Sequence, residues 1–142
     1  MKGTKRAQLL ALSLLVMLGA CRTASVTKSA SGGEMLVRIS EIEIYPDSLR
    51  AYKAILKSEA EASVRLEPGV ISIFPMYEQK DSTRIRILEI YASREAYQSH
   101  IKSPHFQKYK TTTLNMVKAL QLIDMKAIDA ETMPTIFRKL KD

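Results

Sequence analysis

The sequence predicts an α+β chain whose elements follow in the order β-α-β-β-α-β, and three observations predict it. Between residues 36 and 128 the hydrophobic repeat switches between a period of two and one near 3.6. Turn chemistry stands at the changes of period, in Pro46-Asp47-Ser48, Glu67-Pro68-Gly69, Gln79-Lys80-Asp81-Ser82 and Ser103-Pro104. A proline, Pro75, falls inside one strand and assigns that strand a place in the sheet.

Leu36 to Tyr45 alternates, with Val37, Ile39, Glu41, Glu43 and Tyr45 on one side and Leu36, Arg38, Ser40, Ile42 and Ile44 on the other, so it is read as a strand. Pro46-Asp47-Ser48 offers a turn and a helix N-cap. Leu49, Tyr52, Leu56, Ala60 and Ser63 then share one face of a helix running to about Arg65. Glu67-Pro68-Gly69 ends it. Val70 to Glu78 and Arg84 to Tyr91 are rich in β-branched and aromatic residues and form a hairpin across a polar stretch. Pro75 has no N–H for the ladder, which places the second strand at an edge. Ala92 to Ile101 reads as a short helix with Ala96, Tyr97, His100 and Ile101 on one face. Ser103 caps and Pro104 opens the next helical segment, lined by Phe106, Tyr109, Thr113, Met116, Val117 and Leu120. Leu120 to Ile128 returns to a strand. This order is the split β-α-β of a ferredoxin-like sandwich, with strands one and three central and two and four at the edges.

Helices cover one face of such a sheet, yet the strands carry apolar residues at both parities: Ile85 and Ile87 against Leu88 and Ile90, Ile71 and Ile73 against Val70 and Phe74. The second face is expected to pack on that of a second copy, giving a sheet-on-sheet homodimer. The alternative is a cover supplied by residues 129–142.

The start of the chain reads as an export signal. Lys2, Lys5 and Arg6 precede an apolar run from Leu9 to Leu18, which is shorter than the roughly 20 residues a membrane-spanning helix needs. Leu18-Gly19-Ala20-Cys21 resembles a bacterial lipobox, so Cys21 is the expected lipidation site and the membrane a partner through an N-terminal lipid. The expected organisation is a signal peptide over 1–20, a flexible tether over 21–34, a domain over 35–128 and a tail over 129–142. The expected location is the cell envelope, on the periplasmic side of the outer membrane, since Arg22 stands where an aspartate can signal inner-membrane retention.

Composition narrows the chemistry. Cys21 is the single cysteine of 142 residues, which excludes an intrachain disulfide and multi-cysteine metal sites. The net charge of +7 includes three charges from Lys2, Lys5 and Arg6, and the remaining basic residues interleave with acidic ones. No nucleic-acid partner is expected of such an exported chain.

Glu67-Pro68-Gly69, Glu89-Ile90-Tyr91 and Ala96-Tyr97, His100, Ser103-Pro104-His105-Phe106, in this order and spacing, resemble the antibiotic biosynthesis monooxygenase (ABM) family over roughly residues 36–127. The resemblance implies a dimeric α/β barrel of ferredoxin-like subunits. It also implies cofactor-independent oxygenation of a quinol-like aromatic, with a small aromatic substrate and dioxygen as partners and neither cofactor nor metal. Some members degrade haem, using a tryptophan and a histidine ligand. This chain has no tryptophan and carries Lys110 at the position aligned with that histidine, which points away from haem. The tryptophan of some antibiotic-tailoring oxygenases is missing too, which argues against a polyketide substrate.

Cofactor-free oxygenation needs a base, an apolar cavity and donors for a developing anion. His100 is expected to face the sheet, where Glu89 shares a strand face with Ile85, Ile87 and Tyr91, so that the two could meet; an acid in this apolar strand is expected to be part of the pocket or a buried link to Arg86, His100 or a tyrosine hydroxyl. His105, at the second position of a helix, is the second candidate acid/base, because the helix dipole there disfavours an imidazolium. Arg84 and Arg86 lie on the opposite parity and are read as solvated or paired across the dimer. Tyr77, Tyr91, Tyr97 and Phe106 are the expected substrate-binding walls. The competing reading is a non-catalytic small-ligand-binding lipoprotein that uses the same cavity, in which the histidines are satisfied core residues.

Overall fold

A computed structural model describes residues 34–139; the predicted signal peptide, the Cys21 lipidation site and the tether up to residue 33 lie outside the described residues. β1 (Leu36–Ile44) buries alternate residues, which makes Leu36, Arg38, Ser40, Ile42 and Ile44 its inner face. Pro46–Ser48 forms a single 3-10 turn in which Ser48 makes no side-chain cap, unlike the expected N-cap. α1 (Leu49–Leu66) follows, and its stripe of Tyr52, Leu56, Glu59, Ala60 and Ser63 is buried on the sheet. Truncating a core side chain such as Leu56 to alanine costs about 2–5 kcal/mol.

β2 (Val70–Tyr77) and β3 (Arg84–Tyr91) form the hairpin. α2 (Arg94–His100) begins two residues later than expected, because the Ser93 hydroxyl caps it by accepting from the Ala96 amide at 3.3 Å. In α3 (Pro104–Thr113) the Ser103 hydroxyl accepts from the Phe106 amide at 3.3 Å. α3 stops before the predicted Met116-Val117-Leu120 continuation. Its last turn is the β-branched run Thr111-Thr112-Thr113, and Thr111 and Thr113 each bond the carbonyl four residues back at 2.9 Å, a pattern that weakens helices. A 3-10 turn, Leu114–Met116, leads into β4 (Val117–Met125), three residues earlier than the periodicity suggested. The tail carries a short helix, α4 (Met133–Arg138), that the sequence reading did not foresee.

The sheet order is β2-β3-β1-β4, all neighbours antiparallel, with β1 and β3 central and Pro75 on an edge strand. This is the ferredoxin-like α+β sandwich. The inner face holds the core. By register, the outer face presents Val37, Ile39, Phe74, Leu88, Ile90, Ile123 and Met125, of which Phe74 is 58% and Met125 50% exposed. Arg86, on that same face, pairs within the chain with Glu78 at 2.8 Å and Glu41 at 3.4 Å, and Arg84 with Asp81 at 3.4 Å.

Candidate active site

The turn that ends α1 organises the site. A Cβ on Gly69 would lie 2.6 Å from the Ala96 Cβ, so only glycine lets α2 pack this closely on the Glu67-Pro68-Gly69 turn. That approach brings His100, at the end of α2, and His105, in the first turn of α3, onto one carboxylate. Glu67 Oε1 lies 2.9 Å from His100 Nδ1 and 2.6 Å from His105 Nε2. Burial alone would push the Glu67 carboxyl up, but the hydrogen bonds from the two histidines outweigh it and hold it below its usual range.

His100 is 2% exposed, packed edge-on to Phe106 with ring centroids 4.7 Å apart and 5.4 Å from Tyr91. With Nδ1 donating to Glu67, Nε2 is the free nitrogen, and Glu59 Oε1 is 3.8 Å from it. Burial raises the Glu59 carboxyl against the opposing effect of the Ser63 hydroxyl, which donates at 2.7 Å, and of the histidines.

His100 and Glu59 line a cavity of about 110 Å³ between the helices and the sheet, with Arg38, Glu89, Tyr91, Tyr97, Phe106 and Tyr109 among its walls. It is smaller than the roughly 300 Å³ common for ligand sites, because four aromatic side chains fill much of the space under the helices. Its apolar walls include Ile42, Leu56, Ile73, Ile87, Leu120 and Leu122. Leu120 and Leu122 are 58% and 48% exposed, so the cavity opens along β4.

Three expectations are corrected. His100 and Glu89 share the cavity wall but do not pair. Glu89 instead accepts from the Ser40 hydroxyl and, at 2.8 Å, from the Tyr91 hydroxyl, both reached across or along the central strands. His105 does not line the cavity but a neighbouring groove between α1 and α3, which shares Glu59 and Tyr109 with it. Tyr77 is no cavity wall: it sits at the far end of β2, 55% exposed, with the Lys53 ammonium 3.5 Å from its ring centroid. Tyr91, Tyr97 and Phe106 do line the cavity.

Sequence reasoning passed over Glu59, Glu67, Arg38 and the Tyr52–Tyr109 hydroxyl pair, 2.6 Å apart. Glu59 had a signal, being an acid seven residues after Tyr52 on the apolar face of α1. Burial and the Tyr109 contact push the Tyr52 hydroxyl up, and burial carries that of Tyr109 to about 12, so this pair acts as a neutral hydrogen-bonding wall. Burial and Glu89 likewise raise Tyr91.

Among the described residues, Glu67, His100 and His105 are the set whose composition suits a cation, their ligand atoms lying within 4.8 Å of one another. Two donors on one zinc at about 2.0–2.2 Å stand roughly 3 Å or more apart. The 2.6 and 2.9 Å contacts are hydrogen-bond lengths, so the cluster is built around shared protons.

The family model described as "Antibiotic biosynthesis monooxygenase" matches residues 35–112. A candidate antibiotic biosynthesis monooxygenase from Bacteroides thetaiotaomicron is 48% identical, with a TM-score of 0.66 over 67% of this chain and 90% of that one. A candidate monooxygenase from Lactobacillus acidophilus is 25% identical, with a TM-score of 0.64 over 65% of this chain and 44% of that one. The fold is shared with a Nitrosomonas europaea protein that is 22% identical, with a TM-score of 0.65 over 69% of this chain and 94% of that one. No curated protein matches the sequence. A family match over more than half the chain makes this protein a member of the antibiotic biosynthesis monooxygenase family.

Proposed function

We propose that the protein is a cofactor-independent monooxygenase acting on a quinol-like, single-ring aromatic substrate in the cell envelope. The observation that carries this reading is His100: a buried imidazole on an apolar cavity wall, its Nδ1 tied to a carboxylate and its Nε2 left as a base. Nε2 takes a hydroxyl proton from the substrate, and Glu67 balances the imidazolium. The quinol anion gives one electron to dioxygen and the two radicals recombine. One oxygen atom stays on the ring, while the other leaves as water with the two hydrogens the quinol loses. Glu59, kept protonated to higher pH by burial, is a proton source beside Nε2. At about 110 Å³ the cavity is below the roughly 150 Å³ that takes up benzene, so it is sized for no more than a single ring reaching in from the opening along β4.

Two further parts of the reading concern assembly. The apolar outer face supports a homodimer through the sheets. Leu18-Gly19-Ala20-Cys21 supports an anchor lipidated at Cys21 at the outer membrane, and mass spectrometry of the mature N-terminus tests it. An unmodified Cys21 removes the anchor.

The activity is tested by oxygen uptake from the purified full chain against a panel of single-ring quinols. Protein-dependent uptake that His100→Gln abolishes is the expected result. Folded protein that binds such rings without taking up oxygen is a ligand-binding module instead.

A further inference from the structure

We infer that Arg38 makes the cavity a site for a phenol or enol bound through its ionised oxygen. This deepens the proposed function, on which it rests for the identity of the ring. Arg38 projects from the inner face of β1, where the register sets it between Glu89 on β3 and Asp124 on β4. Its Nε and Nη2 lie 2.7 and 2.6 Å from the same oxygen, Asp124 Oδ1. The Tyr97 ring covers its Cζ at 4.5 Å. Arg38 is 7% exposed, and its Nη1 is buried without a hydrogen bond, alone in this among side-chain nitrogen and oxygen atoms of the described residues.

A charged donor left empty in the interior costs more than a neutral one, so this nitrogen calls for a partner. The Tyr97 hydroxyl is a neighbouring acceptor but makes no hydrogen bond to Nη1, and the neighbouring carboxylates already hold other donors. Glu89 is taken by Ser40 and Tyr91, Glu59 by Ser63, and Asp124 uses its other oxygen to meet Arg94 at 3.7 Å. Asp124 thus serves two guanidinium groups and is half-exposed, which leaves Nη1 as the unused donor of Arg38 on the cavity side.

The free group is one amino nitrogen, Nη1, which donates to a ligand oxygen. A carboxylate ligand would set a second anionic oxygen against the Glu89 carboxylate in the same cavity, whereas a phenolate or enolate brings one. Arg38 and His100 both line the cavity, and the Tyr91 ring lies 5.4 Å from His100 and 5.3 Å from Tyr97, the ring that covers Arg38. When the ligand O–H bond breaks, the proton passes to His100 Nε2 and the electron pair stays on the oxygen against Arg38 Nη1.

The probes are 4-nitrophenol and its methyl ether, 4-nitroanisole, added to the full chain below the pH at which the free phenol ionises. The phenolate absorbs visible light and the neutral phenol does not. Expected is the phenolate band on binding, with the phenol held at least about tenfold more tightly than the ether. Arg38→Lys keeps a cation for Asp124 but has no second amino group, and should bind both probes alike. Equal binding of phenol and ether by the unaltered chain overturns the inference without any variant, as does a folded Arg38→Lys that keeps the preference. Arg38-dependent phenolate binding without oxygen uptake removes the monooxygenase and leaves this site standing; oxygen uptake without phenolate preference does the reverse.

Discussion

His100 Nδ1 lies 2.9 Å from Glu67 Oε1, the oxygen that also meets His105 Nε2 at 2.6 Å. A carboxylate from the end of α1 thus fixes the tautomer of a histidine from the end of α2, and a second histidine in α3 holds that carboxylate in place. If His100 is the base, His100→Gln lowers kcat by about 10²-fold or more, the usual range for general-base catalysis. Glu67→Gln keeps a hydrogen-bonding group but loses the charge, and should lower kcat with little change in KM. Steady-state kinetics on the two variants checks this, with thermal melts to show that both are folded.

The two carboxyls of the site, Glu67 and the buried Glu59, should move stability with pH in opposite directions. The folded value of Glu67 is below its ordinary 4.5, so its contribution is present above that pH and is lost as pH falls through the folded value. The folded value of Glu59 is above 4.5, so the unfolded chain gives up this proton first and stability falls as pH rises from 4.5 through the folded value. Glu59→Gln should therefore raise the melting temperature at about pH 8 and lose that gain near about pH 4. Melts of the variant and the unaltered chain across this range measure the difference.

Gly69→Ala would set a new methyl 2.6 Å from the Ala96 Cβ and force α2 away from the turn. Overpacking of this kind costs about 1–3 kcal/mol. Urea unfolding reads the loss, and oxygen uptake should fall with it because His100 moves off Glu67.

Phe74, 58% exposed at the outer face of edge strand β2, should lie inside the dimer. Light scattering is expected to find a dimer for the unaltered chain and a monomer for Phe74→Glu, with the circular dichroism of the two alike. A monomeric unaltered chain would contradict the sheet-on-sheet assembly.

The fold was legible where a period or a special residue spoke for it. Alternation divided β1 into its two faces residue by residue, and the missing N–H of Pro75 placed β2 at the edge. The α3–β4 boundary was not, because Met116, Val117 and Leu120 continue the apolar spacing of α3 while the threonine run has already ended the helix. The site was legible in part. His100, Tyr91, Tyr97 and Phe106 reached the cavity through their helix and strand faces, but the partner of His100 lies 33 residues away across a turn whose close packing no periodicity encodes. Arg38 appeared as one more residue of an alternating strand. Its importance depends on Asp124, 86 positions later, taking two of its nitrogens and leaving the third.

Isotope labelling with ¹⁸O₂ tests the central claim most directly. Chelator-treated protein is given a single-ring quinol, and the product is weighed by mass spectrometry. The account predicts one labelled oxygen atom per product molecule, undiminished by the chelator and lost in His100→Gln. Product without label, or label that His100→Gln leaves unchanged, would contradict it.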